Sequence, residues 1–180
     1  MKATGIVRRV DDLGRVVIPK EIRRTLKIRE GDPLEIYTEK DGGVIFRKYS
    51  PMGDMQEAAA QLCEAISVAT GRIAAVADRD MLIALSGAPK RELLERPNSG
   101  ELNSLLEQRQ NYRYQEGQPV IRPTEGTERY FLGVSAPILC QGDLMGGVLL
   151  LMEEGTPAME EGDRKLVQTV AHYLGSQMEC

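Results

Sequence analysis

Apolar side chains in the first fifty residues come in short bursts set off by charge. Ile6-Val7 precedes Arg8-Arg9, and Val16-Val17-Ile18 follows Arg15. Ile22 and Leu26 stand four apart on either side of Arg23-Arg24. This pattern predicts strands at Gly5–Val10 and Arg15–Ile18, joined at Asp11–Gly14, and then a short helix. Pro19 suits the first turn of that helix because it has no amide hydrogen to lose there. Ile22 and Leu26 are expected to face a core, leaving Arg23 and Arg24 more exposed. Leu34–Thr38 and Val44–Lys48 read as a return hairpin around Asp41-Gly42-Gly43, a strong turn signal.

Pro51 and Gly53 interrupt both periods. The expected organisation is a domain over residues 1–50, a linker over 51–55 and a second domain over 56–180. Met55, Ala59, Leu62, Cys63, Ile66 and Ala69 recur at helical spacing until Gly71. Arg72–Ala77 and Met81–Ser86 read as short strands separated by Asp78-Arg79-Asp80. A helical candidate covers Glu101–Gln110, with Leu102, Leu105 and Leu106 on one side. Phe131–Leu139 and Leu144–Met152 flank Gln141-Gly142-Asp143 as a hairpin, and the second strand is apolar on both faces, as a central strand is. A last helix follows Thr156-Pro157, carrying Leu166, Val167, Val170, Ala171, Leu174 and Met178. This order predicts an α+β sheet with helices covering it.

Size changes the reading of the first half. Roughly fifty residues rarely bury a sufficient core alone, so a shared core between two copies is expected. Pairing also places two sets of arginines about one two-fold axis, which suits duplex DNA with its own pseudo-two-fold symmetry. Charge adds an asymmetry. Residues 1–50 hold twelve Lys and Arg against eight Asp and Glu, a net of +4. The whole chain carries −4, so the remainder carries −8. A basic module joined to an acidic one implies that only the first touches nucleic acid. Arg8, Arg9, Arg15, Arg23 and Arg24 are interleaved with apolar residues, so regular structure would hold their planar forks in place for phosphate or guanine edges. A solvated set of surface charges, some paired with Asp11, Asp12 or Glu21, is the competing reading.

Other chemistry is sparse. At 42% hydrophobic and 28% charged the composition is globular, and no apolar run approaches the roughly 20 residues of a bilayer span. With charges interrupting any leader-like region, a cytoplasmic protein is expected. Three cysteines without close spacing make neither a disulfide framework nor a zinc motif. Cys63 and Cys140 are therefore expected to be ordinary thiols, and Cys180 an exposed terminal one. The single His172 lies on the last helix, where a structural or surface role is expected. Ser135, Cys140 and His172 share no catalytic motif, so neither catalysis nor metal or cofactor binding is expected. Gly146-Gly147 lacks the strand–loop–helix setting of a phosphate loop and fits close backbone packing or a bulge.

The stretch Thr4-Gly-Ile-Val-Arg-Arg-Val-Asp-Asp-Leu-Gly-Arg-Val-Val-Ile-Pro-Lys-Glu-Ile-Arg-Arg-Thr-Leu26, continued by Ile28, Gly31-Asp32, Leu34–Tyr37 and Lys48-Tyr49, resembles the DNA-binding domain of AbrB-type transition-state regulators. That resemblance implies a swapped-hairpin, β-rich homodimer binding double-stranded DNA. It aligns Arg8, Arg9, Arg15, Arg23 and Arg24 with the family's basic contact positions; Lys20 departs from the apolar residue associated with its place. The family's tolerance for sequence implies indirect readout of DNA shape. Residues 54–178 resemble, more weakly, a GAF domain. The whole chain is similar to spore-development regulators that join these two domains and act in the developing spore compartment. The fold class implied is α+β in two domains: a swapped-hairpin dimer and a GAF-like α/β sheet with flanking helices. The function implied is transcriptional regulation, activating or repressing, with the GAF-like domain setting assembly and sensing an unidentified small-molecule effector. Leu166, Val170 and Tyr173 on the last helix are the expected oligomer interface, joining dimers into a homotetramer. The alternative is an antitoxin-like DNA-binding protein whose second half binds a protein partner.

Overall fold

The computed structural model describes residues 5–49 and 51–178, the side chains of Pro51 and Asp54 excepted. The chain divides into two units, Met1–Tyr49 and Ser50–Cys180.

In the first unit Pro19 stands at the N-cap of helix α1 (Lys20–Thr25), one position before the first turn. Its carbonyl accepts the Arg23 amide at 3.0 Å. Strand β1 (Leu34–Thr38) pairs antiparallel with β2 (Val44–Lys48), Leu34 opposite Lys48 and Thr38 opposite Val44. The turn is closed by Glu39 N–H donating to Gly43 O at 2.8 Å, and by Gly42 N–H to Glu39 O at 3.1 Å. Gly42 takes φ +89°, a conformation glycine reaches without cost.

The strands expected at Gly5–Val10 and Arg15–Ile18 are not formed within this chain. Residues 5–19 make a turn, with Gly14 N–H donating to Asp11 O and Asp11 N–H to Arg15 O, both at 3.0 Å, but no ladder extends from it. A strand needs a neighbour for its amides and a cover for its apolar face, and the chain supplies neither here. Val7, 88% exposed, and Val10, Val16 and Val17 face solvent. Leu26 is exposed in the single chain as well, while Ile22 is half-buried.

The second unit opens with α2 (Pro51–Asp54) where a linker was expected, and Met52 is buried in the core. Helix α3 (Gln56–Thr70) ends at Gly71, in the left-handed conformation and with its amide on Ser67 O. The sheet is antiparallel in the order β4-β3-β7-β6-β5. Its strands are β3 (Ile73–Asp78), β4 (Leu82–Ser86), β5 (Tyr112–Arg113), β6 (Phe131–Cys140) and β7 (Asp143–Met152). β7 is central, as its double-sided apolar pattern predicts. One face is covered by α3 and α6 (Glu161–Ser176), with Ala59, Cys63, Ile66, Val167, Val170, Ala171 and Leu174 against Val76, Val134, Val148 and Leu150. The other is covered by α4 (Lys90–Leu93) and α5 (Gly100–Glu107), with Leu93, Leu102, Leu106 and Tyr130 against Ala75, Leu149 and Leu151.

Small residues let these layers close. A Cβ on Gly146 would overlap the Ala77 carbonyl, and one on Gly147 would lie 2.5 Å from Leu106 Cδ2. One on Gly175 of α6 would overlap the Leu139 carbonyl. The start of α6 is clamped by Arg72, which donates to Pro157 O at 2.7 Å, Ala158 O at 3.1 Å and Asp163 Oδ2 at 3.1 Å. Asp163 also accepts the Glu160 amide at 2.8 Å, completing a capping box. Cys63 is a buried thiol, pushed up to about 12 by burial. Cys140 corrects the sequence reading: it is disulfide-bonded, with Sγ 3.6 Å from Met178 O at the end of α6.

Candidate nucleic-acid interface

The turn at residues 11–15 organises the basic segment. Asp11 Oδ1 accepts the amides of Leu13 at 3.0 Å and Arg15 at 2.7 Å. Asp11 Oδ2 accepts Arg15 Nε at 2.8 Å. The backbone amide and then the guanidinium of Arg15 hold the Asp11 carboxyl below its ordinary value. Arg8 and Arg9 enter this turn, Arg15 leaves it, and Arg23 and Arg24 occupy the last turn of α1. Arg8, Arg9, Arg15 and Arg24 are exposed and Arg23 is half-buried. Among the described residues Arg15 alone of the five is held in an ion pair.

A second carboxylate braces the segment after α1. Asp32, its side chain only 1% exposed, lies 3.3 Å from Lys48 Nζ and accepts the Arg29 amide at 2.8 Å. Lys48 Nζ also donates to Lys27 O at 3.3 Å, tying β2 to the end of α1. Arg47 lies 4.9 Å over the Tyr37 ring, whose hydroxyl donates to Glu35 at 2.5 Å. The sequence reading named Asp11 only as a charge partner for the arginines, which its pair with Arg15 bears out, and not as the acceptor that closes the turn; Asp32 and Tyr37 it missed. The Asp-x-Leu-Gly-Arg spacing of an Asx turn was the available signal for Asp11. Nothing local marked the pairing across 16 residues of Asp32 with Lys48.

In the second unit the expected interface residues separate. Leu166 is half-buried, Tyr173 is 48% exposed, but Val170 is 8% exposed and belongs to its own domain's core. Val170 shares a face with Val167, Ala171 and Leu174 rather than presenting outward. Val68 on α3 is exposed as well. Ser135, Cys140 and His172 are not brought together: Cys140 packs on the α6 side, Ser135 alternates onto the α5 side, and His172 is exposed. Among the described residues no cluster of His, Cys, Asp and Glu could hold a metal ion, and no helix is long and apolar enough to cross a membrane. Among the described residues four buried side-chain polar atoms lack a hydrogen-bond partner: Asn98 Oδ1, Tyr112 OH, Thr124 Oγ1 and Ser135 Oγ. Tyr112 and Ser135 stand opposite each other on β5 and β6. Asn98 and Thr124 face each other across an isolated bridge.

Residues 54–179 match the family model described as stage V sporulation protein T C-terminal, transcription factor. Residues 7–54 match that of antidote-toxin recognition MazE, bacterial antitoxin. The chain is 43% identical to stage V sporulation protein T of Bacillus subtilis, over 99% of each. It is 65% identical to the N-terminal DNA recognition domain of the Bacillus subtilis regulator AbrB, covering 28% of this chain and 94% of that structure at a TM-score of 0.25. The GAF domain/HD domain protein of Geobacter sulfurreducens is 14% identical, with 68% of this chain and 90% of that one covered at a TM-score of 0.51, a likeness of fold. The first unit is similar in sequence to the Bacillus subtilis regulator AbrB, 65% identical over 51 residues, the second has a GAF-like fold, and the chain belongs to the stage V sporulation protein T family of transcription factors.

Proposed function

We infer that this chain is a transcriptional regulator of sporulation genes that binds double-stranded DNA as a dimer of its N-terminal unit. The carrying observation is the company its arginines keep. Arg8, Arg9, Arg15, Arg23 and Arg24 lie in a unit that leaves Val7, Val10, Val16, Val17, Leu26, Ile36, Val44 and Phe46 exposed. A second copy interleaving its residues 5–19 would cover those side chains and give the unladdered segments strand partners. It would also set ten arginines about one axis, counting the five of each chain. Neutralising roughly 6–10 phosphates gives a slope of log affinity against log salt of about −5 to −9. Few base-edge contacts follow from so short a helix, so shape and deformability set the preference.

The GAF-like unit pairs dimers into a tetramer through the outer surfaces of α3 and α6, where Val68 and Tyr173 are exposed. A second DNA-binding dimer held nearby raises apparent affinity by about 10²–10⁴ through effective concentration. The unsatisfied Asn98 Oδ1, Tyr112 OH, Thr124 Oγ1 and Ser135 Oγ support a small effector with hydrogen-bonding groups on the α5 side of the sheet, inside the cytoplasm of the developing spore. The test of the DNA reading is titration of a duplex with Arg8→Ala, Arg23→Ala and Arg24→Ala at several salt concentrations. Each is expected to weaken binding and flatten the salt slope by about 1 per chain. Folded variants that all keep the parent's affinity and slope would remove these arginines from the interface. The shared core is tested on residues 1–53 by sedimentation: a folded monomer at low micromolar concentration contradicts it.

A further inference from the structure

We propose that Asp11 is a positioning residue for DNA binding: its carboxylate aims the Arg15 guanidinium while closing the turn that carries it. The proposal rests on the reading of Arg15 as a DNA-contacting residue. Its basis is that one carboxylate does two jobs with its two oxygens. Oδ1 takes the amides of Leu13 and Arg15 at 3.0 and 2.7 Å, which fixes the carboxylate to the backbone. Oδ2 then takes Arg15 Nε at 2.8 Å. An exposed ion pair between two free side chains restrains little, because both must be ordered to form it. Here one partner is already ordered by backbone hydrogen bonds, so only the arginine remains to be restrained.

The choice of nitrogen matters. Nε is the inner donor of the guanidinium, so engaging it orients the plane and leaves Nη1 and Nη2 for an outside acceptor. Arg15 keeps 69% of its side-chain surface exposed while being held this way. An arginine pre-oriented before the duplex arrives loses less freedom on binding. Charge alone argues the other way. An acid beside a phosphate-binding surface repels DNA, so removing it should tighten binding if electrostatics were its only influence. Positioning and bulk charge therefore predict opposite signs for the same substitution.

Asp11→Asn separates them. The amide oxygen can still accept the Leu13 and Arg15 amides, as asparagine does in Asx turns. What replaces Oδ2 is an NH2 group, which cannot accept from Arg15 Nε. The measurement uses the full chain and one fluorescent duplex selected by the parent protein from a random-sequence pool. Parent, Asp11→Asn, Arg15→Ala and the double variant are titrated, after circular dichroism confirms their folding. Asp11→Asn is expected to weaken binding about fivefold for a two-chain unit, the lower end of couplings between contacting residues. In the Arg15→Ala background the same change is expected to leave affinity equal or slightly tighter. If Asp11→Asn binds as well as the parent or better, the positioning role is wrong. If it weakens binding equally in both backgrounds, Asp11 acts through the turn alone and the proposal fails. If Arg15→Ala itself binds like the parent, the assignment of Arg15 to the interface fails, and the proposal with it.

Discussion

Two aspartate substitutions one turn apart on α6 should have opposite consequences. Val170 is 8% exposed and packs with Val167, Ala171 and Leu174 in the core of its own domain. Val170→Asp removes an apolar side chain whose burial contributes about 1.5–3 kcal/mol and replaces it with a carboxylate. That carboxylate must stay protonated or drag water inside, which adds a penalty of about 1–3 kcal/mol or more. The total is about 2.5–6 kcal/mol against a typical domain stability of about 5–15 kcal/mol. The apparent Tm should fall by roughly 10–20 °C. Tyr173 lies three residues on and is 48% exposed. Tyr173→Asp should change the stability of its own domain by no more than about 0.5 kcal/mol. Its effect should appear in the proposed assembly: tetramer to dimer by light scattering, with weaker binding to long duplexes and little change on short ones. Thermal unfolding monitored at 222 nm, paired with light scattering, reads both quantities. A Val170→Asp protein that melts within a few degrees of the parent would refute the assigned packing of α6. A folded Tyr173→Asp protein that stays tetrameric would remove Tyr173 from the interface.

Three further outcomes are expected. Gly175→Ala should cost about 1–3 kcal/mol, because the added methyl meets the Leu139 carbonyl rather than a movable side chain; denaturant melts of the full chain measure it. Cys63, pushed up to about 12 by burial, is a neutral thiol at pH 8 and should resist alkylation in the folded protein but react in denaturant, as mass spectrometry would show. The Asp11 carboxyl sits below its ordinary value through the Arg15 amide and guanidinium. Its stabilising contribution to the turn is therefore complete above the unfolded carboxylate value and disappears as pH falls through the lower folded one. A carboxyl-carbon NMR titration that places Asp11 at or above an ordinary aspartate would contradict that geometry.

Local pattern alone determined much of this protein. The hairpin around Asp41-Gly42-Gly43, the α3 stop at Gly71 and the central strand Leu144–Met152 follow from turn chemistry and periodicity within a few residues. The charge division between the halves, and the arginines that carry the basic half, are properties of composition and order. The tertiary structure decided what depends on neighbours distant in sequence. Gly5–Val10 and Arg15–Ile18 carry strand-like pattern, yet a ladder needs a partner that this single chain does not provide. Val170 looked like part of an outward stripe, but a helix wide in apolar residues turns part of that stripe to its own sheet, and only packing shows which part. Asp32 meets Lys48, and Arg72 meets Asp163 across 91 positions, because the fold returns those segments to each other. Periodicity constrains which way a residue points; it does not say what stands there to meet it.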